Sequence, residues 1–137
     1  MKGVYILLIL VDGDIAINIG SLGKIFFEGG FYAYVGSAQN SLEKRVARHF
    51  KKGKKKFWHI DYLLENERGR IIEVFYREAD KGEECRIANK IGEANQPIKG
   101  FGSSDCRCKS HLFKLNTRDL LTKILKEDSF LKLIMHS

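Results

Sequence analysis

The chain has one proline, one tryptophan and three cysteines in 137 residues, and each scarcity closes off a class of protein. With Pro97 alone, and no repeat or low-complexity tract, nothing reads as a linker or a solenoid. Residues 1–137 therefore read as one domain, long enough to bury a core without staples. An odd number of cysteines with no secretory leader argues against a disulfide framework, so thiols in a reducing, cytoplasmic compartment are expected. The longest apolar run, from Val4 to Val11, falls far short of the roughly 20 residues that span a bilayer, and no membrane partner is expected. Negative charge is also in deficit. Lys and Arg number 24 against 17 Asp and Glu, a formal net charge of +7. Such an excess favours polyanions, although the same charge also serves plain solubility.

Periodicity supplies the elements. Gly3-Val4-Tyr5 opens an apolar, β-branched run, and Phe31-Tyr32-Ala33-Tyr34-Val35 reads as a second strand. Asp12-Gly13 between two apolar runs signals a two-residue hairpin, which would pair residues 4–10 with 15–19. Gly20 to Gly23 and Gly29-Gly30 mark turns. Helices are expected at 41–52 and 57–65, a strand at 70–77, a helix at 82–91 and a helical extension over 117–137. Residues 92–110 are loop-rich, a length at which loops tend to be functional. Strands first and helices later imply an α+β fold, a small antiparallel or mixed sheet with helices packed on it.

Chemistry concentrates around the tyrosines. Tyr5 and Tyr34 would face each other on neighbouring strands. Asn40 stands three residues before Glu43, a capping-box spacing for a helix that starts near Ser41, with Leu42, Val46 and Phe50 as its core stripe. Arg45 and His49 fall on one edge of that stripe and would lean toward the tyrosines.

On these residues the chain resembles the GIY-YIG nuclease superfamily, with Gly3-Val4-Tyr5 and Tyr34-Val35-Gly36 as the two name motifs. The segment from Gly36 to Arg45 is similar to the family's glycine-to-arginine stretch, and His49 stands where the family has histidine or tyrosine. Glu84 looks like the metal-binding glutamate that begins a helix, with Glu83 as a rival. The segments Phe57 to Leu64 and Phe101 to Phe113 look like a largely uncharacterised, mostly archaeal branch, also found fused to endonuclease III-type glycosylases. The pattern is departed from at Ser37, where excision-repair relatives have lysine. It is departed from again after Pro97, where many relatives have asparagine and only Asn95 is a loose substitute.

The resemblance implies a divalent-metal-dependent endonuclease that hydrolyses phosphodiesters, DNA favoured over RNA, in repair or processing. Glu84 would hold one Mg²⁺ or Mn²⁺, Tyr5 or Tyr34 would act as general base, and Arg45 would grip the scissile phosphate. His49 would orient Tyr34 or share the proton. A tyrosine titrates near pH 10, so the base role requires a nearby cation and Arg45 to stabilise the phenolate. The competing reading is a catalytically weak or inactive nucleic-acid-binding module that supports a repair partner.

Three further features need placing. Lys51, Lys52, Lys54, Lys55 and Lys56 form either a phosphate-contacting rim or a solvated loop. Trp58 and Tyr62 are either base-stacking platforms or core. Cys106, Cys108 and His111, with Cys85 elsewhere, suggest a metal only weakly because the paired Cys-x2-Cys knuckle is missing. No zinc is expected. The Gly20-Ser21-Leu22-Gly23-Lys24 stretch fails the phosphate-loop spacing.

Overall fold

The computed structural model describes residues 1–103 and 108–134. Among these residues, eight strands and four α-helices run β1 (Gly3–Val11), β2 (Ile15–Asn18), β3 (Lys24–Phe27), β4 (Gly30–Ala38), α1 (Leu42–Phe50), α2 (His59–Glu65), β5 (Gly69–Glu78), α3 (Gly82–Gly92), β6 (Gln96–Pro97), β7 (Leu112–Lys114), α4 (Arg118–Glu127) and β8 (Leu131–Leu133). Six strands form one antiparallel sheet in the order β6-β7-β4-β1-β5-β8, and β2 and β3 form a separate ribbon. The fold is α+β, as the order of elements implied.

The apolar run of β1 is buried on both faces, which is why it reads as continuous hydrophobicity. Tyr5, Leu7, Ile9 and Val11 point into a core shared with Leu42 and Val46 of α1, with Ile60 and Leu63 of α2, and with Ile19 and Phe27 of the ribbon. Val4, Ile6 and Leu8 point the other way, onto Ile87, Ala88 and Ile91 of α3 and Leu121 and Ile124 of α4. Helices thus cover both sides of the sheet.

The hairpin expected at Asp12-Gly13 does not form. Both edges of β1 are taken by β4 and β5, while Ile15–Asn18 pairs with Lys24–Phe27. The burial pattern explains the exchange. A strand buried on both faces needs long partners, whereas Ile15–Asn18 alternates half-buried and exposed positions. Asp12 N–H donates to Arg68 O at 2.8 Å, and Asp14 Oδ1 accepts from Gly29 N–H at 2.8 Å, so the turn leads the chain away from β1.

Helix α1 also departs in detail. Its cap is Ser41, whose hydroxyl accepts from Lys44 N–H at 3.2 Å, rather than Asn40. Its buried stripe is Leu42, Val46 and His49, with Phe50 exposed. The expected C-terminal helix ends at Glu127, and the chain then adds β8 to the edge of the sheet beside β5.

Candidate active site

Tyr5 and Tyr34 project from the same face of the sheet, because Tyr5 pairs with Gly36 and Leu7 with Tyr34 in the antiparallel register. Gly36 explains itself at this point. A Cβ there would lie 2.5 Å from the Tyr5 ring and hydroxyl, so only glycine lets the ring cross its neighbouring strand. Beyond Tyr34, β7 no longer pairs with β4, and the Val35 N–H to His111 O bond is the last tie on that side among the described residues. The sheet is therefore open along Gly36 to Ala38. A cleft of about 510 Å³ forms at this opening and is reached from both layers, by Arg45 and Trp58 on one side and Glu84 and Cys85 on the other.

His49 is 2 % exposed and does not line the cleft; it meets the site through Tyr5, with its Nε2 2.7 Å from the Tyr5 hydroxyl. The partner is Tyr5, whereas Tyr34 meets the imidazole only edge to face, at 6.0 Å between ring centroids. Burial depresses the His49 pKa to about 4, against the pull of Asp61. Burial likewise pushes the Tyr5 hydroxyl well above its ordinary value, reinforced by Tyr34 and opposed by Arg45. Tyr34 is raised as well, by burial first and then by the negative charges of Glu84 and Asp61. All three groups are thus neutral near pH 7. The neutral phenol and His49 Nε2 share one hydrogen, and Nδ1, on the other side of the ring, is buried with no hydrogen-bond partner among the described residues.

Arg45 is held by its surroundings. Its Nη1 donates to Ser37 O at 3.2 Å, and the guanidinium stacks over Trp58 at 4.6 Å from the ring centroid. Trp58 also carries Arg48 on its ring, at 4.3 Å, and lies 6.1 Å from His49. Its ring thus supports Arg45, which lines the cleft, and Arg48, which is bound to Asp61. Tyr62, the other stacking candidate, has Lys56 Nζ 5.8 Å from its ring centre.

Glu84 is the acidic residue of the cleft lining, near the start of α3. Its Oε1 accepts from the Ser37 hydroxyl at 3.0 Å, and Oε2 lies 3.5 Å from His111 Nδ1. The rival Glu83 turns away to Arg77 and Arg86, at 3.0 and 2.6 Å. Asn95 is structural. Its amide donates to Ile91 O and its carbonyl accepts from Asn116 N–H.

The five lysines do not line the cleft, whose lining includes Lys81 instead. Lys52 donates to Leu64 O, and Lys54 Nζ donates to Lys51 O at 2.6 Å, so both brace the α1–α2 connection. Lys51, Lys55 and Lys56 are exposed. Cys106 lies outside the described residues, but Cys85, Cys108 and His111 converge, with one ligand atom of each within 4.8 Å of the others.

Ser37 and His111 were missed as site residues in the sequence, and Trp58 was weighed there only as a stacking platform or core. Ser37 stood out there only as a departure, and His111 only as part of a cysteine loop. Their contacts depend on which strands pair, which spacing cannot reveal.

These features define a class: an α+β domain whose sheet opening gathers two tyrosines, an arginine and, among the described residues, one carboxylate, with a buried histidine bonded to one of the tyrosines. A family model described as a domain of unknown function, DUF123, matches residues 4–131, and the chain belongs to that family. No curated protein and no solved structure matches the chain. Among the described residues no helix is long and apolar enough to cross a membrane.

Proposed function

We propose that the chain is a GIY-YIG-type endonuclease that hydrolyses phosphodiesters in nucleic acid, DNA before RNA, with one Mg²⁺ or Mn²⁺ at Glu84. The observation that carries the reading is the buried Tyr5–His49 hydrogen bond, whose Tyr5 end lines a cleft that also presents Arg45 and, among the described residues, a single carboxylate, Glu84. A polyanion-binding surface would need cations alone. It has no use for a carboxylate opposite an arginine.

The donor set fits a hard cation, which takes one or two carboxylates and fills its remaining positions with water and phosphate oxygens. When bound, such an ion supplies charge stabilisation for the transition state and for the leaving oxygen. The chain's own residues do the rest. Arg45, pinned between Ser37 O and Trp58, meets a non-bridging phosphate oxygen and offsets the charge that builds on it. Tyr5 takes a proton from the attacking water at its hydroxyl oxygen and passes its own proton to His49 Nε2. An imidazolium is costly in that buried place, and the negative phosphate entering the cleft reduces the cost. Tyr34 closes the wall beside Tyr5. Exposed Lys51, Lys55 and Lys56 add sequence-independent attraction to the backbone.

The second reading, a binding module that supports a repair partner without turnover, draws on Ser37. Its hydroxyl occupies a Glu84 oxygen and brings no positive charge to the tyrosines.

The test is nicking of duplex, branched and single-stranded DNA and RNA with Mg²⁺ or Mn²⁺. Divalent-dependent nicking that drops about 10² to 10⁴-fold in Tyr5→Phe supports the enzyme. Salt-sensitive binding with no nicking on any of them supports the module.

A further inference from the structure

Against the wall of the cleft lies a group of donors that the proposed hydrolysis does not use. Cys85 follows Glu84 on α3, while Cys108 and His111 belong to the segment that leads into β7. Helix α3 packs on β4 and β7, and this packing brings the three ligand atoms within 4.8 Å of one another. We propose that Cys85, Cys108 and His111 bind a thiolate-preferring divalent transition metal, zinc foremost, in a site separate from that of the hard cation at Glu84.

Geometry and chemistry both point this way. Tetrahedral zinc, with bonds of about 2.3 Å to sulfur and 2.0 Å to nitrogen, holds its ligand atoms roughly 3.3 to 3.8 Å apart. Donors already within 4.8 Å need only a small contraction. The surroundings of the His111 ring are the second, independent observation. Its Nδ1 lies 3.1 Å from Val35 O and 3.5 Å from Glu84 Oε2. A carbonyl oxygen only accepts, so in the neutral imidazole the hydrogen sits on Nδ1, and Nε2 would be the ligating nitrogen. A backbone carbonyl or carboxylate on the far nitrogen is the outer support that orients metal-ligating imidazoles.

Two sulfurs and an imidazole select against magnesium, which requires oxygen, and in favour of zinc. The absence of a Cys-x2-Cys knuckle concerned the order of residues along the chain. Cys85 enters from another element, which spacing does not register. Three ligands among the described residues leave a fourth position for water or another donor, the pattern of an open zinc site. A metal there would tie α3 to the segment before β7, and so hold Glu84 and His111 at the mouth of the cleft. Neither thiol has a part in the phosphodiester chemistry, so the two proposals stand or fall separately.

The test uses the full chain, purified in a phosphorus-based reductant without added metal. Elemental analysis and cobalt(II) titration are read together, the latter for the visible bands of tetrahedral cobalt and the near-ultraviolet thiolate-to-cobalt band. The expected result is one equivalent of metal per chain, with the cobalt spectrum erased by one equivalent of zinc. Cys85→Ser should cut the thiolate band to about half, as one of two sulfur ligands is lost. Three results would overturn the proposal: reduced wild-type protein that takes up neither metal, a thiolate band unchanged in Cys85→Ser, or a Cys85–Cys108 disulfide in the freshly prepared protein. If Cys85→Ser does not fold, the wild-type titration decides alone. Magnesium-dependent nicking, measured beside it, reports on Glu84 and not on this site.

Discussion

His49 combines a fold role and a site role in one side chain. It fills the α1 stripe position that periodicity assigned to Phe50, and the exchange is what delivers its Nε2 to Tyr5. The consequence can be measured. In the folded protein its pKa is about 4, against an ordinary value of 6.5 in the unfolded chain. Between those values the unfolded state binds a proton that the folded state refuses, so acid favours unfolding. Stability should be unaffected by this group above about pH 6.5, fall as the pH drops toward 4, and level off below. The loss should total about 3 kcal/mol. His49→Gln should abolish that part of the pH profile in denaturant titrations. A profile identical to that of the wild type would show that His49 is not buried as described. The residue types and spacings of Tyr5, Tyr34 and Arg45 were legible in the sequence because strand alternation and helix pitch are local, whereas Glu84 was reached only through the family resemblance. The pairing of His49 with Tyr5, rather than Tyr34, was not legible, because it follows from the β1–β4 register.

The elements α1 and α2 act as one unit, joined through Asp61. That carboxylate is fully buried, receives both Arg48 guanidinium nitrogens at 2.9 and 3.0 Å, and accepts the N–H groups of Phe57 and Trp58. Burial would raise its pKa, but the Arg48 and backbone hydrogen bonds prevail and hold it below the ordinary carboxylate value. Asp61→Ala strands a partly buried guanidinium and two amides, and should cost about 3–5 kcal/mol in urea unfolding. A loss under about 1 kcal/mol would place Asp61 among ordinary surface pairs. The same change should loosen Trp58, and with it Arg45. Most helices were readable from caps and stripes: Thr117 accepts from Leu120 N–H to start α4, close to where the sequence placed it. The Asp12-Gly13 hairpin was misread because a turn signal is local, whereas the partner of a doubly buried strand is chosen by the whole core. The short strands β6, β7 and β8 carry too few residues to show a period.

At the scale of the molecule, chemistry and charge are set apart. The cleft sits where β4 outruns β7, while most of the concentrated lysine lies on the α1–α2 connection outside it. Lys54, Lys55 and Lys56 replaced together by alanine should weaken binding to nucleic acid of any sequence. The salt dependence should flatten by up to about one unit of slope for each phosphate that is no longer neutralised. Part of the effect of Lys54 is internal, since its ammonium braces Lys51 O. Double replacement of the exposed Lys55 and Lys56 therefore gives the cleaner slope. An unchanged slope would mark the run as a solvated loop.

The proposed hydrolysis is tested most directly by a single-turnover nicking assay with saturating protein, run on wild type and Glu84→Gln beside a binding titration of the same DNA. Glu84 is the cleft's carboxylate, and the substitution keeps its shape while removing its charge. Divalent-dependent nicking should fall at least about a hundredfold while affinity barely changes. Undiminished nicking in Glu84→Gln would contradict the metal role of Glu84, and the proposed mechanism with it.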